Sequence, residues 1–311
     1  MAMRFGAAFW VQRTGWPELR EAVLRTDAAG FDDLWIDDHL LCDEGDWRSP
    51  KLEGWTTLAA IAAITERPRL GPMVVANTLR NPGLTAKMAT TLDHISNGRA
   101  ILGIGGAWFE EEHQDFGLDF GSGFPERLRW LGEALPIMRG MLDGTEPVAA
   151  GPHYTSHDTR NLPGPLQAHL PICIGGGGEQ VTLKLVARYG DMNNIGGTVE
   201  EMRRKEEVLL RHCETVGRNP AEIERTTGIG TVFIRDDRAE AERLFHEAFD
   251  RNRIARHWVD QPVGTVEDVV EKLAPKIALG YRHLVVGVPA TYDEESMTRF
   301  ATEVRPLLER L

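Results

Sequence analysis

The chain has 311 residues, 42% of them hydrophobic and 26% charged, with a formal net charge of −12. That length holds one large barrel or two ordinary domains around a substantial core. The acidic balance disfavours nucleic acid and anionic membrane as principal partners, and no apolar run reaches the ~18 residues that a membrane span needs.

Strand-like and helix-like runs alternate along the whole chain. Residues 3–9 read as a first strand and 17–29 as a helix stopped by Gly30. A second strand covers 33–37 and an alanine-rich helix 54–66; a third strand covers 69–77 and a helix 82–95. The fourth strand, 99–105, precedes a long helix over 125–142. The stretch 144–170, rich in Gly, Pro and His, reads as an insertion holding a small hairpin. A fifth strand over 171–175 leads to a helix at 179–189, and a sixth over 191–195 to a charged helix at 199–216. The seventh strand, 226–234, is followed by helical spacing over 237–258 and 265–279; the eighth, 283–288, by a closing helix over 293–310.

Eight near-continuous apolar strands, each followed by helix, fit a closed α/β barrel of the (β/α)8 type. A doubly wound open sheet is the rival. No composition break divides the chain, so residues 1–311 read as one domain with the insertion at about 144–170.

In such a barrel, chemistry collects just after the strands. Asp37, Asp38 and His39 follow the second strand; a carboxylate beside an imidazole can fix its tautomer or raise its pKa. Asn77, Thr78 and Arg80 follow the third, with Arg80 a possible anion ligand. After the fourth, Gly103, Gly105 and Gly106 would let a planar ligand come close, while "EEEH" (110–113) could supply a base but reads mostly as solvated charges at a helix start. The fifth strand ends in four consecutive glycines, Gly175 to Gly178. A tight strand-to-helix turn needs only one or two. Four suggest a phosphate cradle in which the amides of Gly176, Gly177 and Gly178 face an anion at a helix N-terminus. Gly196, Gly197 and Thr198 after the sixth strand could form its other wall, with Thr198 also a natural helix N-cap.

Three widely spaced cysteines, Cys42, Cys173 and Cys213, indicate neither a disulfide framework nor a metal site. His153, His157 and His169 have no ligand-like grouping, and no metal is expected. There is no P-loop and no GxSxG. The N-terminus lacks the apolar core of a signal peptide, so a cytoplasmic location is expected.

The segments "GFDDLWIDDHL", "GRAILGIGGAWFEEEH" and "NLPGPLQAHLPICIGGGGEQVTLKLVARYGDMNNIGG", with others in the same order, resemble the luciferase-like monooxygenase superfamily. More narrowly they resemble its deazaflavin (coenzyme F420)-dependent oxidoreductase branch. The resemblance implies a TIM barrel, a homodimer, a small-molecule substrate and a flavin or deazaflavin reductase as functional partner. It places the cofactor ring in the barrel mouth against Ala76, Asn77, Gly105 and Gly106, and the cofactor phosphate toward the fifth and sixth strands. A non-prolyl cis peptide behind the ring falls, segment to segment, at Ala76–Asn77. Asp38 and His39 fall on the family's Asp-His pair, which makes His39 the proton donor or acceptor and Asp38 its orienting partner. Phe9, Trp10 and Trp108 are expected to wall the substrate pocket, with Trp47 and Trp55 as further candidates. Gly106 stands where some deazaflavin dehydrogenases carry a glutamate, Asp43 where they carry a tryptophan, and Ala107 where a glycine is more usual.

The implied activity is hydride transfer between coenzyme F420 and a small organic substrate. An FMNH2-dependent monooxygenase using O2 would employ the same glycine-rich phosphate site. A flavin-binding barrel without turnover is a third possibility.

Overall fold

The computed structural model, which describes residues 2–43, 45–254 and 261–311, closes eight parallel strands into a barrel. The chain begins β1 (Arg4–Phe9), α1 (Trp16–Ala28), β2 (Asp33–Asp38), α2 (Gly54–Ile64), β3 (Arg69–Ala76) and α3 (Pro82–Ile95). It continues with β4 (Leu102–Gly105), α4 (Glu110–Phe116) and α5 (Phe124–Leu142). The insertion forms the expected hairpin, β5 (Ala149–Ala150) against β6 (Thr155–Ser156). Then come β7 (Ile172–Gly175), α6 (Thr182–Tyr189), β8 (Met192–Asn194), α7 (Val199–Val216) and β9 (Glu224–Thr231). The rest is β10 (Phe233–Ile234), α8 (Arg238–Arg251), β11 (Val263–Gly264), α9 (Val266–Ala278), β12 (His283–Val288), α10 (Glu294–Arg299) and α11 (Arg305–Leu308). Around the barrel the strands run β1, β12, β9, β8, β7, β4, β3, β2.

The expected seventh strand divides. Only β9 belongs to the barrel; β10 pairs instead with β11. The helix expected over 237–258 ends at Arg251, and the last four positions of that span lie outside the described residues. The helix expected at 179 begins at Thr182, because the chain after the glycines makes a further turn before it winds up.

Period-two alternation sorts the strand residues. Phe5, Ala7 and Phe9 of β1 and Leu34 and Ile36 of β2 face the helices in the main core. Trp35, Ile101, Cys173, Met192 and Val285 face inward and fill the lumen with Ala8 and Met73. Helix starts are set by local chemistry. Asn81 accepts from the Gly83 amide ahead of Pro82, and Thr198 and Thr265 each form a capping box with the residue three places on.

Beneath the apolar layer, the N-terminal ends of the strands carry a buried ionic layer. His283 sits between Asp33 (3.0 Å) and Glu224 (2.8 Å), and Arg69 bridges the same two carboxylates at 2.5 and 3.2 Å. Burial works against the charge on Glu224, but the close contact with His283 and the Arg69 charge prevail and hold its carboxyl down to about 2. Burial likewise opposes the charge on His283, and its two carboxylate neighbours override it and raise the imidazole. This layer closes the foot of the barrel and leaves the C-terminal end as the open one.

Glu224→Gln is expected to lower stability at neutral pH by up to about 3 kcal/mol, the free energy that corresponds to moving the carboxyl from 4.5 to about 2. A depressed acid stabilises above its unfolded value. The gap between wild type and variant in urea melts should therefore close as pH falls from 4.5 toward 2. The raised His283 works in the other sense, stabilising fully below 6.5 and losing its effect only as pH rises through its folded value. An undiminished gap at the acid end contradicts this account of the layer.

Candidate active site

The open end holds a cavity of about 390 Å³. Its floor is the end of β3. Ile36 pairs with Pro72 but Asp38 pairs with Val75, so β3 carries one extra residue and bulges there. The non-prolyl cis peptide lies in that bulge, at Met73–Val74. The expected position, Ala76–Asn77, is wrong: it falls where the strand has already passed into the Asn77–Leu79 turn.

Val74 is received in a notch of bare backbone. A Cβ added to Gly105 or to Gly175 would lie 2.9 Å from a Val74 methyl. Gly175 is therefore required by packing of β3 against β7. Gly176 has φ +110°, a conformation open to glycine but rarely to other residues. Two of the four consecutive glycines thus have structural duties.

His39 stands at the end of β2 and lines the cavity. Its Nδ1 lies 2.9 Å from Oε1 of Glu112, whose Oε2 accepts the Leu40 amide at 2.8 Å. A carboxylate only accepts, so Nδ1 carries the hydrogen and Nε2 is the nitrogen not committed to Glu112. Glu112 is 0% exposed. Burial alone would lower the imidazole; the Glu112 hydrogen bond and the charges of Asp43, Glu112 and Asp37 outweigh it and raise it.

The expected Asp38–His39 partnership is therefore corrected. Asp38 faces away from the lumen, where Arg80 binds it through both carboxylate oxygens, at 2.5 and 3.0 Å. Arg80 also reaches Glu53, so it is a structural cation and not an anion site. Within "EEEH" the expectation of solvated charge holds for Glu110 and Glu111 but fails for Glu112 and His113, which are buried. One turn of a helix aims consecutive side chains ~100° apart, and nothing in a row of identical carboxylates says which one turns inward.

Asp37 and Asp43 also line the cavity. Behind them lies Lys51, its side chain 2% exposed, paired to Asp37 and, at 2.9 Å, to Asp43. Burial pushes Asp37 up, whereas the Lys51 charge overcomes burial at Asp43 and holds it down. Lys51 carried no signal in the sequence, since it lies 14 residues beyond Asp37 in an irregular loop.

At the opposite wall the cradle is narrower than expected. The Gly176 amide already donates to the Asn194 carbonyl at 3.0 Å. Among the described residues, the amides of Gly177 and Gly178 have no hydrogen-bond partner. Thr198 is committed to its capping box with Glu201, through both hydroxyl and amide. The Gly196 carbonyl accepts from Lys205 at 3.1 Å, and none of Gly177, Gly178, Gly196, Gly197 and Thr198 reaches the cavity lining.

Ala76, Gly105, Gly106, Gly175, Gly176 and Trp108 line the cavity. Asn77 does not: its amide turns to the Tyr154 hydroxyl at 3.3 Å, while Thr78 bonds His113 at 2.6 Å. Phe9 faces the helices, its ring 5.8 Å from Tyr292, and Trp10 packs on Phe249. Trp55 belongs to the core and Trp47 lies against Arg48. Among the described residues no group of three or more His, Cys, Asp or Glu could hold a metal ion, and no helix is long and apolar enough to cross a membrane.

A sequence model of the luciferase-like monooxygenase family matches residues 3–272. The chain belongs to that family. An F420-dependent glucose-6-phosphate dehydrogenase of Amycolatopsis mediterranei is 25% identical over 99% of both chains. Among solved structures, an F420-dependent secondary alcohol dehydrogenase holding an F420–acetone adduct is similar at TM-score 0.82, with 18% identity over 99% of both chains. The monooxygenase RslO1 of Streptomyces bottropensis is equally similar, at TM-score 0.82, with 21% identity over 98% of this chain and 99% of its own. These likenesses to solved structures establish the luciferase-like barrel.

Ala107 occupies φ +66°, where an L-residue costs roughly 1–2 kcal/mol. Ala107→Gly relieves that and gives back part through the freer unfolded chain, so a net gain of about 0.5–1 kcal/mol is expected in thermal melts. A destabilised variant would show that the methyl group, buried near Leu79, contributes more by packing. Separately, Glu112→Gln should lower the pKa of His39, read by NMR titration of its ring protons; an unmoved titration would remove Glu112 as the group that holds the imidazole.

Proposed function

We propose that this chain is an F420-dependent oxidoreductase acting on a small organic substrate, with residues 1–311 serving as a single catalytic domain. One observation carries the reading: a buried imidazole, oriented by a fully buried carboxylate, faces a cavity whose far wall is bare glycine backbone. The full-length relatives named F420-dependent dehydrogenases, 25% and 28% identical, support the choice of coenzyme.

The cavity suits a planar ring. Gly105, Gly106, Gly175 and Gly176 present no side chains, and the bulge 73–76 forms a floor beneath them. The uncommitted amides of Gly177 and Gly178, which follow directly on the lining residues Gly175 and Gly176, suit a phosphate extending beyond the cavity. Coenzyme F420, when bound, supplies a ring carbon that gives or accepts a hydride. The protein's own part is the proton. In substrate oxidation, Nε2 of His39 takes the proton from a substrate hydroxyl; in reduction it returns one. Glu112 keeps Nδ1 protonated and stabilises the imidazolium that results. Trp108 and Phe109, stacked on one another at 5.3 Å, each pack edge-to-face with the His39 ring, at 5.3 and 5.8 Å.

His39→Asn is expected to lower F420-linked turnover by roughly 10²–10⁴-fold while leaving coenzyme affinity nearly unchanged. In substrate oxidation, kcat/KM should rise with pH through the His39 pKa, and Glu112→Gln should move that limb to lower pH. Full activity in the Asn variant, or a limb unmoved by Glu112→Gln, would take the proton-transfer role from His39. Oxygen-dependent product formation with reduced FMN, and none with F420, would support the monooxygenase reading instead.

A further inference from the structure

The acidic side of the cavity has a construction that proton transfer at His39 does not require. Asp37 occupies the last inward-facing position of β2, and Asp43 comes from the loop that follows. Both line the cavity; Lys51, which holds them, does not. Lys51 engages Oδ2 of Asp37 and Oδ1 of Asp43, so the second oxygen of each carboxylate is not committed to it. The lysine is itself anchored. Its backbone bridges Gln12, and Arg13 and Leu52 hydrogen-bond across the same junction at 2.8 and 3.0 Å. The wall thus sets two acidic groups against one ammonium beside His39. Among the described residues no Lys or Arg lines the cavity.

We propose that the Lys51-clamped carboxylates of Asp37 and Asp43 are the specificity-determining wall of this cavity, selecting an uncharged or cationic substrate that donates hydrogen bonds and turning away phosphorylated ones. The proposal rests on the cavity being the substrate site, as proposed above. The physical reason is charge placement. The wall that faces β7 is bare backbone at Gly175 and Gly176, whereas the acidic wall is built by Asp37 at the end of β2 and Asp43 in the loop after it. A phosphate ester brought against that wall would meet two carboxylates in a space partly closed to water, where like charges repel strongly. A hydroxyl or ammonium group would find fixed acceptors there. The wall therefore separates this chain's substrate from the sugar phosphate in the name of its dehydrogenase relatives.

Trp108 lines the same cavity as Asp37 and Asp43 and is 59% exposed, so its quenching by charged solutes senses the potential there. Its emission is obtained as the difference between the coenzyme-free protein and the Trp108→Phe variant. Quenching by caesium, iodide and neutral acrylamide is then compared with free tryptophan. The expected result is a caesium-to-iodide quenching ratio above that of free tryptophan, falling about threefold in Asp43→Asn and falling likewise in Asp37→Asn. Each variant leaves Lys51 one carboxylate, so either one can report should the other fail to fold. Iodide and caesium quenching in the free-tryptophan ratio, unchanged in the variants, would overturn the proposal. So would turnover of glucose 6-phosphate by the F420-loaded protein as fast as of glucose. The quenching measurement contains no coenzyme, so an incorrect coenzyme assignment would leave its answer intact.

Discussion

The contact between His39 and Glu112 organises this molecule's candidate chemistry. A buried carboxylate with no counter-charge is expensive, and a buried imidazole without a fixed partner has no defined tautomer. Each resolves the other's difficulty. Glu112 spends one oxygen on the imidazole and the other on the Leu40 amide, so its charge is satisfied without solvent. The ring is thereby aimed, and its second nitrogen is left to exchange a proton with a ligand at the barrel mouth.

The barrel supports that contact in layers. At the foot, Asp33, Arg69, Glu224 and His283 form an ionic plug; above it Trp35, Ile101, Cys173, Met192 and Val285 fill the lumen. The lumen is thus solid below the mouth, and a ligand can enter only from the C-terminal end. There the β3 bulge narrows the floor, and glycines on β4 and β7 let it lie against its neighbours. The lining is uneven in charge as well: its acidic groups, Asp37 and Asp43, come from the end of β2 and the loop after it, while β4 and β7 offer glycine backbone.

The barrel itself was legible in the sequence, because buried parallel strands are apolar runs and covering helices are amphipathic, and both patterns are local. So was His39, which stands immediately after a strand. Its partner was not legible. Asp38 is the adjacent residue, but in a strand adjacent side chains face opposite sides, so the carboxylate next in sequence is the one that cannot reach the imidazole. Glu112 reaches it from 73 residues away, a tertiary fact with no local signature. The four glycines misled in a similar way. They read as one phosphate device, yet Gly175 answers to Val74, Gly176 answers to backbone conformation and to the Asn194 carbonyl, and only Gly177 and Gly178 keep their amides uncommitted. Phe9 was misplaced because aromatic character says nothing of which face of β1 it occupies; alternation from Phe5 and Ala7 puts it among the helices.

Equilibrium titration of coenzyme F420 with the protein, followed by deazaflavin fluorescence and by the NMR signals of His39, tests the central claim most directly. The account predicts saturable quenching together with a shift of the His39 ring resonances at the same stoichiometry, and much weaker binding of FMN. Binding of FMN but not F420, or F420 binding that leaves His39 unperturbed, would contradict it.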